Sequence, residues 1–146
     1  MSPRFGGDAR RALTRQSRRL RAWVGCDIEL WLVDDTSMTE LCEAHLGKRK
    51  TTDVLSFSPD APLPGLHDPA SGQIAINLDA LVRQAPGVDE RSRLAEASSL
   101  LIHGAAHLAG HDHATRTEAR AMLRLEVRLA RRLGATWLPR PYGRLL

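Results

Sequence analysis

The 146-residue chain is poor in cysteine, having only Cys26 and Cys42. They form no Cys-x-x-Cys pair, and two thiols cannot supply a four-cysteine metal site. Reduced thiols in a cytosolic protein are the expectation. No apolar run approaches the ~18 residues that a membrane-spanning helix needs, so such a helix is excluded. The start of the chain is rich in arginine, but it has no apolar targeting core and no small-residue cleavage signal. It is therefore expected to belong to the fold. Internal repeats and linker-like stretches are also missing, and the length suits one domain over 1–146. A chain of this size buries about 68–70% of its unfolded surface, enough for a core without staples. Apolar residues at 42% and charged residues at 26% are ordinary globular values and argue against global disorder.

What the chain has in excess is arginine, which makes up 19 of its 21 basic residues. The formal charge of +4 is unevenly spread: residues 1–24 and 115–146 each carry a net +6, whereas 25–114 carry −8. Two basic ends around an acidic body suggest a polyanionic partner at the ends. A general arginine bias on exposed helix faces would produce the same pattern.

Helical spacing of Ala9, Leu13, Gln16, Leu20 and Val24 predicts a helix over 8–24. From Cys26 to Val33 the pattern alternates, with Ile28, Leu30 and Leu32 on one face and Asp27, Glu29 and Trp31 on the other, as in a half-buried strand. Asp35, Thr36 or Ser37 is placed to cap a following helix that stops at Gly47. Asp53–Ser58 and Gly72–Asn77 read as further strands, separated by a loop containing Pro59, Pro62, Pro64 and Pro69. Helices are expected over 78–85, 89–109 and 115–133, the last with Met122, Leu125, Leu129 and Leu133 as its core face. This mixture predicts an α+β fold: a small sheet of about four strands with helices packed against it, and basic helical flanks at both ends.

Four of the six histidines fall within eleven residues: His103, His107, His111 and His113. His103 and His107 are four apart, so on a helix both imidazoles reach one ion. His113 would lie about 240° further round a continuing helix, out of reach. Gly110 removes the difficulty, because a left-handed glycine ends the helix and turns the chain back. Three neutral nitrogens then converge and leave a fourth tetrahedral position for water, as in catalytic zinc sites. Donor softness favours a zinc ion, one per chain. Metzincin peptidases share this histidine and glycine spacing but carry a glutamate base directly after the first histidine. Here that position is Gly104, which cannot take a proton, so no peptide substrate is expected.

With these residues in view, the chain resembles the YbeY family of bacterial zinc-dependent endoribonucleases, implicated in rRNA maturation and ribosome quality control. The family signature, approximately His-Gly-x-Leu-His-Leu-x-Gly-Tyr-Asp-His, is matched at His103, Gly104, His107, Leu108, Gly110, Asp112 and His113. Ala106 and His111 depart from it. Thr52-Asp53-Val54-Leu55-Ser56-Phe57 matches a family strand, and Gly72-Gln73-Ile74-Ala75-Ile76 is similar to another, with Gln73 in place of an aspartate. Glu118, Ala119, Met122, Leu125 and Glu126 look like the helix after the histidines. The likeness covers about 26–134 and implies a cytoplasmic metal-dependent RNA hydrolase working with rRNA and ribosomal components.

One departure bears on activity. Where the family has Leu-Asn-x-x-Tyr-Arg, this chain reads Leu41-Cys42-Glu43-Ala44-His45-Leu46. The arginine is tied to nuclease activity, and leucine cannot neutralise a phosphorane oxygen. Lys48, Arg49 or Lys50 is a candidate substitute from the next loop. Asp112 or His111 is a candidate proton shuttle, and Asp112 alternatively fixes a ligand imidazole. Glu96, one heptad before His103, is a further candidate partner for an imidazole, although a surface position is the simpler expectation. The row Arg116, Arg120, Arg124, Arg128 is either an RNA contact or a solvated face. The alternative to the nuclease is a ribosome-associated zinc protein that has lost cleavage through Leu46. A weaker alternative is a metallohydrolase acting on another substrate.

Overall fold

The computed structural model of the chain describes residues 5–61 and 70–136. Pro62, Pro64 and Pro69 of the expected loop, and Arg4, Arg140 and Arg144 of the basic ends, lie outside the described residues.

Helix α1 (Gly7–Val24) buries Ala9, Leu13, Ser17 and Leu20. Ser17 takes the inward place expected of Gln16, its hydroxyl donating to the Thr14 carbonyl at 2.8 Å. Gly25, at φ +84°, ends the helix. Strand β1 (Asp27–Val33) leads into helix α2 (Asp35–Leu46). The cap of α2 is Asp34, one residue earlier than expected, whose carboxylate accepts from the Ser37 N–H at 2.8 Å. Those short hydrogen bonds from Ser37 hold the Asp34 carboxyl below its ordinary pKa. Asp35 is engaged elsewhere, with Asn77 at 2.7 Å and Arg83 at 2.8 Å.

Strands β2 (Val54–Phe57) and β3 (Ser71–Asn77) complete the sheet. Among the described residues it has three strands in the order β1-β3-β2, not about four. After Phe57 the chain turns back on itself, Ala61 N–H donating to the Ser58 carbonyl at 3.0 Å, and Pro59 has no N–H to give to a neighbouring strand. β3 runs parallel to β1, with Ile74 opposite Leu30, and antiparallel to β2, with Ile76 opposite Val54.

β3 is buried along its whole length because both faces of the sheet are covered. Ile74 and Ile76, with Leu30, Leu32 and Val54, face a core built from α1, α4 (Glu90–Leu108) and α5 (Arg116–Leu133). Ala75, with Trp31, Leu55 and Phe57, faces Met38 and Cys42 of α2. Burial pushes the Cys42 thiol pKa up, as expected of an inert core cysteine. The second face of β1, read as polar from sequence, is thus partly covered by α2.

Asn77 ends β3 and caps α3 (Leu78–Gln84), accepting from the Asp79 and Ala80 N–H groups. Its amide also donates to Asp35, Thr51 Oγ1 and the Thr52 carbonyl, at 2.7, 3.2 and 3.1 Å. One buried side chain therefore fixes the start of α2, the approach to β2 and the turn into α3.

Candidate metal centre

His103 and His107 sit one turn apart near the C-terminal end of α4. The helix stops at Leu108 for a local reason: Gly110 adopts φ +95°, its N–H donates to the His107 carbonyl, and the His111 N–H reaches the Ala106 carbonyl, both at 3.0 Å. This paired closure is the Schellman arrangement, which reverses the chain. Past the turn, the His113 ring comes to 5.5 Å from that of His103 and 5.3 Å from that of His107. One ligand nitrogen from each of the three lies within 4.8 Å of the others, as the spacing anticipated.

The surroundings orient the rings. His107 Nδ1 lies 3.0 Å from the His111 carbonyl, to which a protonated Nδ1 donates, leaving Nε2 for an ion. Burial, followed by the neighbouring His103 and His113, holds the His107 pKa below the usual imidazole value, and this favours the neutral, ligating form. His103 is buried, and its Nδ1 lies 3.4 Å from Glu126 Oε1. Glu126 comes from α5, is fully buried, and has neither oxygen in a hydrogen bond among the described residues.

This carboxylate tests whether a metal fits. A buried, incompletely bonded carboxylate is costly. A cation on the far side of His103 would supply the compensating charge, and carboxylate–histidine–metal relays have this form. Three imidazoles with an open side are also a donor set suited to zinc. Sequence reasoning named Glu126 only as part of a helix resembling the family's. The available signal was its place as the one charge in the inward stripe Ala119, Met122, Glu126, Leu129, Ala130. Asp112, the expected partner, instead accepts from the backbone N–H of His113 at 2.8 Å and is exposed. Glu96 is buried rather than at the surface, but it lies two helical turns, about 10 Å, from His103.

The histidines form one wall of a cleft of about 400 Å³. The opposite wall is the end of α2 and strand β2: His45, Leu46, Val54, Leu55 and Ser56. Leu46 therefore lines the cleft, whereas the exposed Lys48, Arg49 and Lys50 do not, and Arg49 is paired with Glu43 at 2.5 Å. Larger hollows of about 530 Å³ beside Trp31 and about 480 Å³ between the arginines of α5 contain no histidine, so convergence of ligands rather than size locates the site. Gly104 faces the sheet: a Cβ there would stand 2.9 Å from Ile74 Cγ2 and 3.0 Å from Ser56 Oγ. The position that bears the peptidase base thus has no room for a side chain.

A family model described as Endoribonuclease YbeY matches residues 3–134. The chain belongs to the YbeY family. Relatives named Endoribonuclease YbeY include one from Anaeromyxobacter sp. (strain Fw109-5), 40% identical over 90% of this chain and 68% of its own length. Another, from Sinorhizobium medicae (strain WSM419), is 36% identical over 91% of this chain and 77% of its own length. The solution structure of TM1509 from Thermotoga maritima is similar in fold, with TM-score 0.53 at 20% identity, covering 88% of this chain and 85% of that one. Membership in YbeY bears out the family likeness of the histidine and strand blocks, and the Thermotoga protein supports the α+β architecture.

Proposed function

We propose that the chain is a zinc-dependent endoribonuclease of the cytoplasm that acts on ribosomal RNA in concert with ribosomal components. The observation that carries this reading is the meeting of His103, His107 and His113 at the wall of an open cleft. Relatives that bear the name endoribonuclease supply the substrate class. No described helix is long and apolar enough to cross a membrane, and the reading requires none.

His103, His107 and His113 would hold one zinc ion. When bound, the ion would supply Lewis acidity and would bring the pKa of water at its open position down towards ~7. The chain's own residues do the rest. The His111 carbonyl holds the proton on Nδ1 of His107, and Glu126 faces Nδ1 of His103, so both rings present Nε2. Asp112, exposed at the cleft wall, is the candidate for exchanging a proton with the leaving group. Lys48 and Arg49 are the candidates for gripping the RNA backbone, Arg49 by exchanging Glu43 for phosphate.

Leu46 on the cleft wall motivates the second reading, a zinc protein that binds RNA without cutting it. Metal analysis together with cleavage of a structured rRNA fragment tests both. Expected are one zinc per chain, cleavage by the wild type, and loss of cleavage in His107→Ala. Leu46→Arg should gain about 10²–10³-fold, as one well-placed charge donor provides. Metal-free protein after zinc loading overturns the metal reading. Cleavage by Leu46→Arg alone decides for the second one.

A further inference from the structure

The outer face of α5 carries Arg116, Arg120, Arg124 and Arg128, all exposed, at steps of one turn. Such a row works against the helix that bears it. Like charges four apart repel, and cations in the first turn oppose the helix dipole. Arg21, Arg49 and Arg83 each have a carboxylate partner. The row on α5 has none among the described residues, because both acids of that helix face elsewhere. Glu118 closes the capping box with Thr115, and Glu126 is buried against His103. Arg132 differs in being placed over the Trp23 ring at 5.6 Å, beside the junction where Arg19 binds carbonyls at the end of α5. Among the described residues the four-arginine row thus makes no ion pair within the fold.

Its position suggests its ligand. Arg116 follows His113 by three residues, and the inner face of the same helix backs the histidines through Glu126. From Arg116 the row runs for about 18 Å along the outer face of the helix. We propose that this row is a docking track for the phosphate backbone of an RNA strand that continues beyond the histidine cleft. The proposal rests on the nuclease reading for the choice of RNA. A lipid surface or an apolar protein partner fits less well, because the exposed large hydrophobics among the described residues are Trp23, Leu46 and Val88, none of them on α5. Guanidinium forks match phosphate oxygens in pairs.

The test is anisotropy of a fluorescein-labelled RNA hairpin with a single-stranded tail, titrated with the full zinc-loaded chain over a range of salt. It compares wild type, Arg120→Gln/Arg124→Gln/Arg128→Gln and the corresponding triple lysine variant. Expected for the glutamine variant is at least tenfold weaker binding and a salt slope reduced by about 2, at roughly 0.7 per lost single-strand phosphate contact. The lysine variant should keep the slope. If the triple glutamine variant does not fold, Arg124→Gln and Arg128→Gln singly should each lose about 0.7. An unchanged slope in the glutamine variants overturns the track even if the wild type cleaves RNA. Preference for phosphatidylserine vesicles over RNA also overturns it. A steep, arginine-dependent slope without cleavage supports the track and counts against the nuclease reading instead.

Discussion

Glu126 carries its carboxylate where no solvent reaches it, with Oε1 3.4 Å from Nδ1 of His103. Replacing it by glutamine keeps the shape and removes the charge, so two measurements should move in opposite directions. Zinc affinity of Glu126→Gln, by competition with a chelating dye, should fall about 10–100-fold. Urea stability of the metal-free variant should be equal to or above that of the wild type, since a buried charge has gone. His107 gives a pH prediction for the same metal-free chain. Its folded pKa is depressed by burial, so below the ordinary imidazole value of about 6.5 the unfolded state takes up the proton first. Thermal stability should therefore decline as pH falls from 6.5 towards the depressed value and rise again with pH across that window. A flat melting temperature there would mean that His107 titrates normally. The convergence of His103, His107 and His113 could be read from spacing because helix periodicity and one glycine determine it. Glu126 could not be recognised as their partner, because its position on α5 carries no information about which helix lies opposite.

Gly104 shows how an element rather than a ligand sets the site. Helix α4 lies so close on the sheet that Ile74 and Ser56 occupy the space of a side chain, and the Ser56 hydroxyl donates to the Gly104 carbonyl at 2.9 Å. Gly104→Ala should destabilise by about 1–3 kcal/mol in urea, the usual cost of overfilling a packed contact. It should also weaken zinc binding, since His103 is the preceding residue. Unchanged stability would show that the helix slides at no cost. The elements themselves were largely legible: the helices and strands expected from periodicity and glycine stops recur within a residue or two. The misses have physical causes. Asp34 rather than its successors caps α2 because Asp35 is drawn to Asn77 and Arg83, a contact made across some forty residues. The fourth strand was expected on general grounds of architecture, without a segment to form it.

At the scale of the whole molecule, the cleft joins parts that the chain separates widely: the end of α2 and strand β2 on one side, α4 and its terminal turn on the other. Zinc would bind the native arrangement and not the unfolded chain, so it should act as a clamp. At a hundredfold excess over Kd, the gain is about 2.7 kcal/mol, a rise of roughly 5–10 °C in melting temperature that a chelator reverses. No shift on adding zinc would mean that the three imidazoles are not a metal seat. Beneath that seat lies Ile74, an aliphatic residue on the central strand, in the space where Gly104 has no side chain. Ile74 acts as a shim under the helix: one methyl more or less there would change the altitude at which the imidazoles ride above the sheet. The height of the histidine wall in the cleft can thus be adjusted by a residue that has no chemistry of its own.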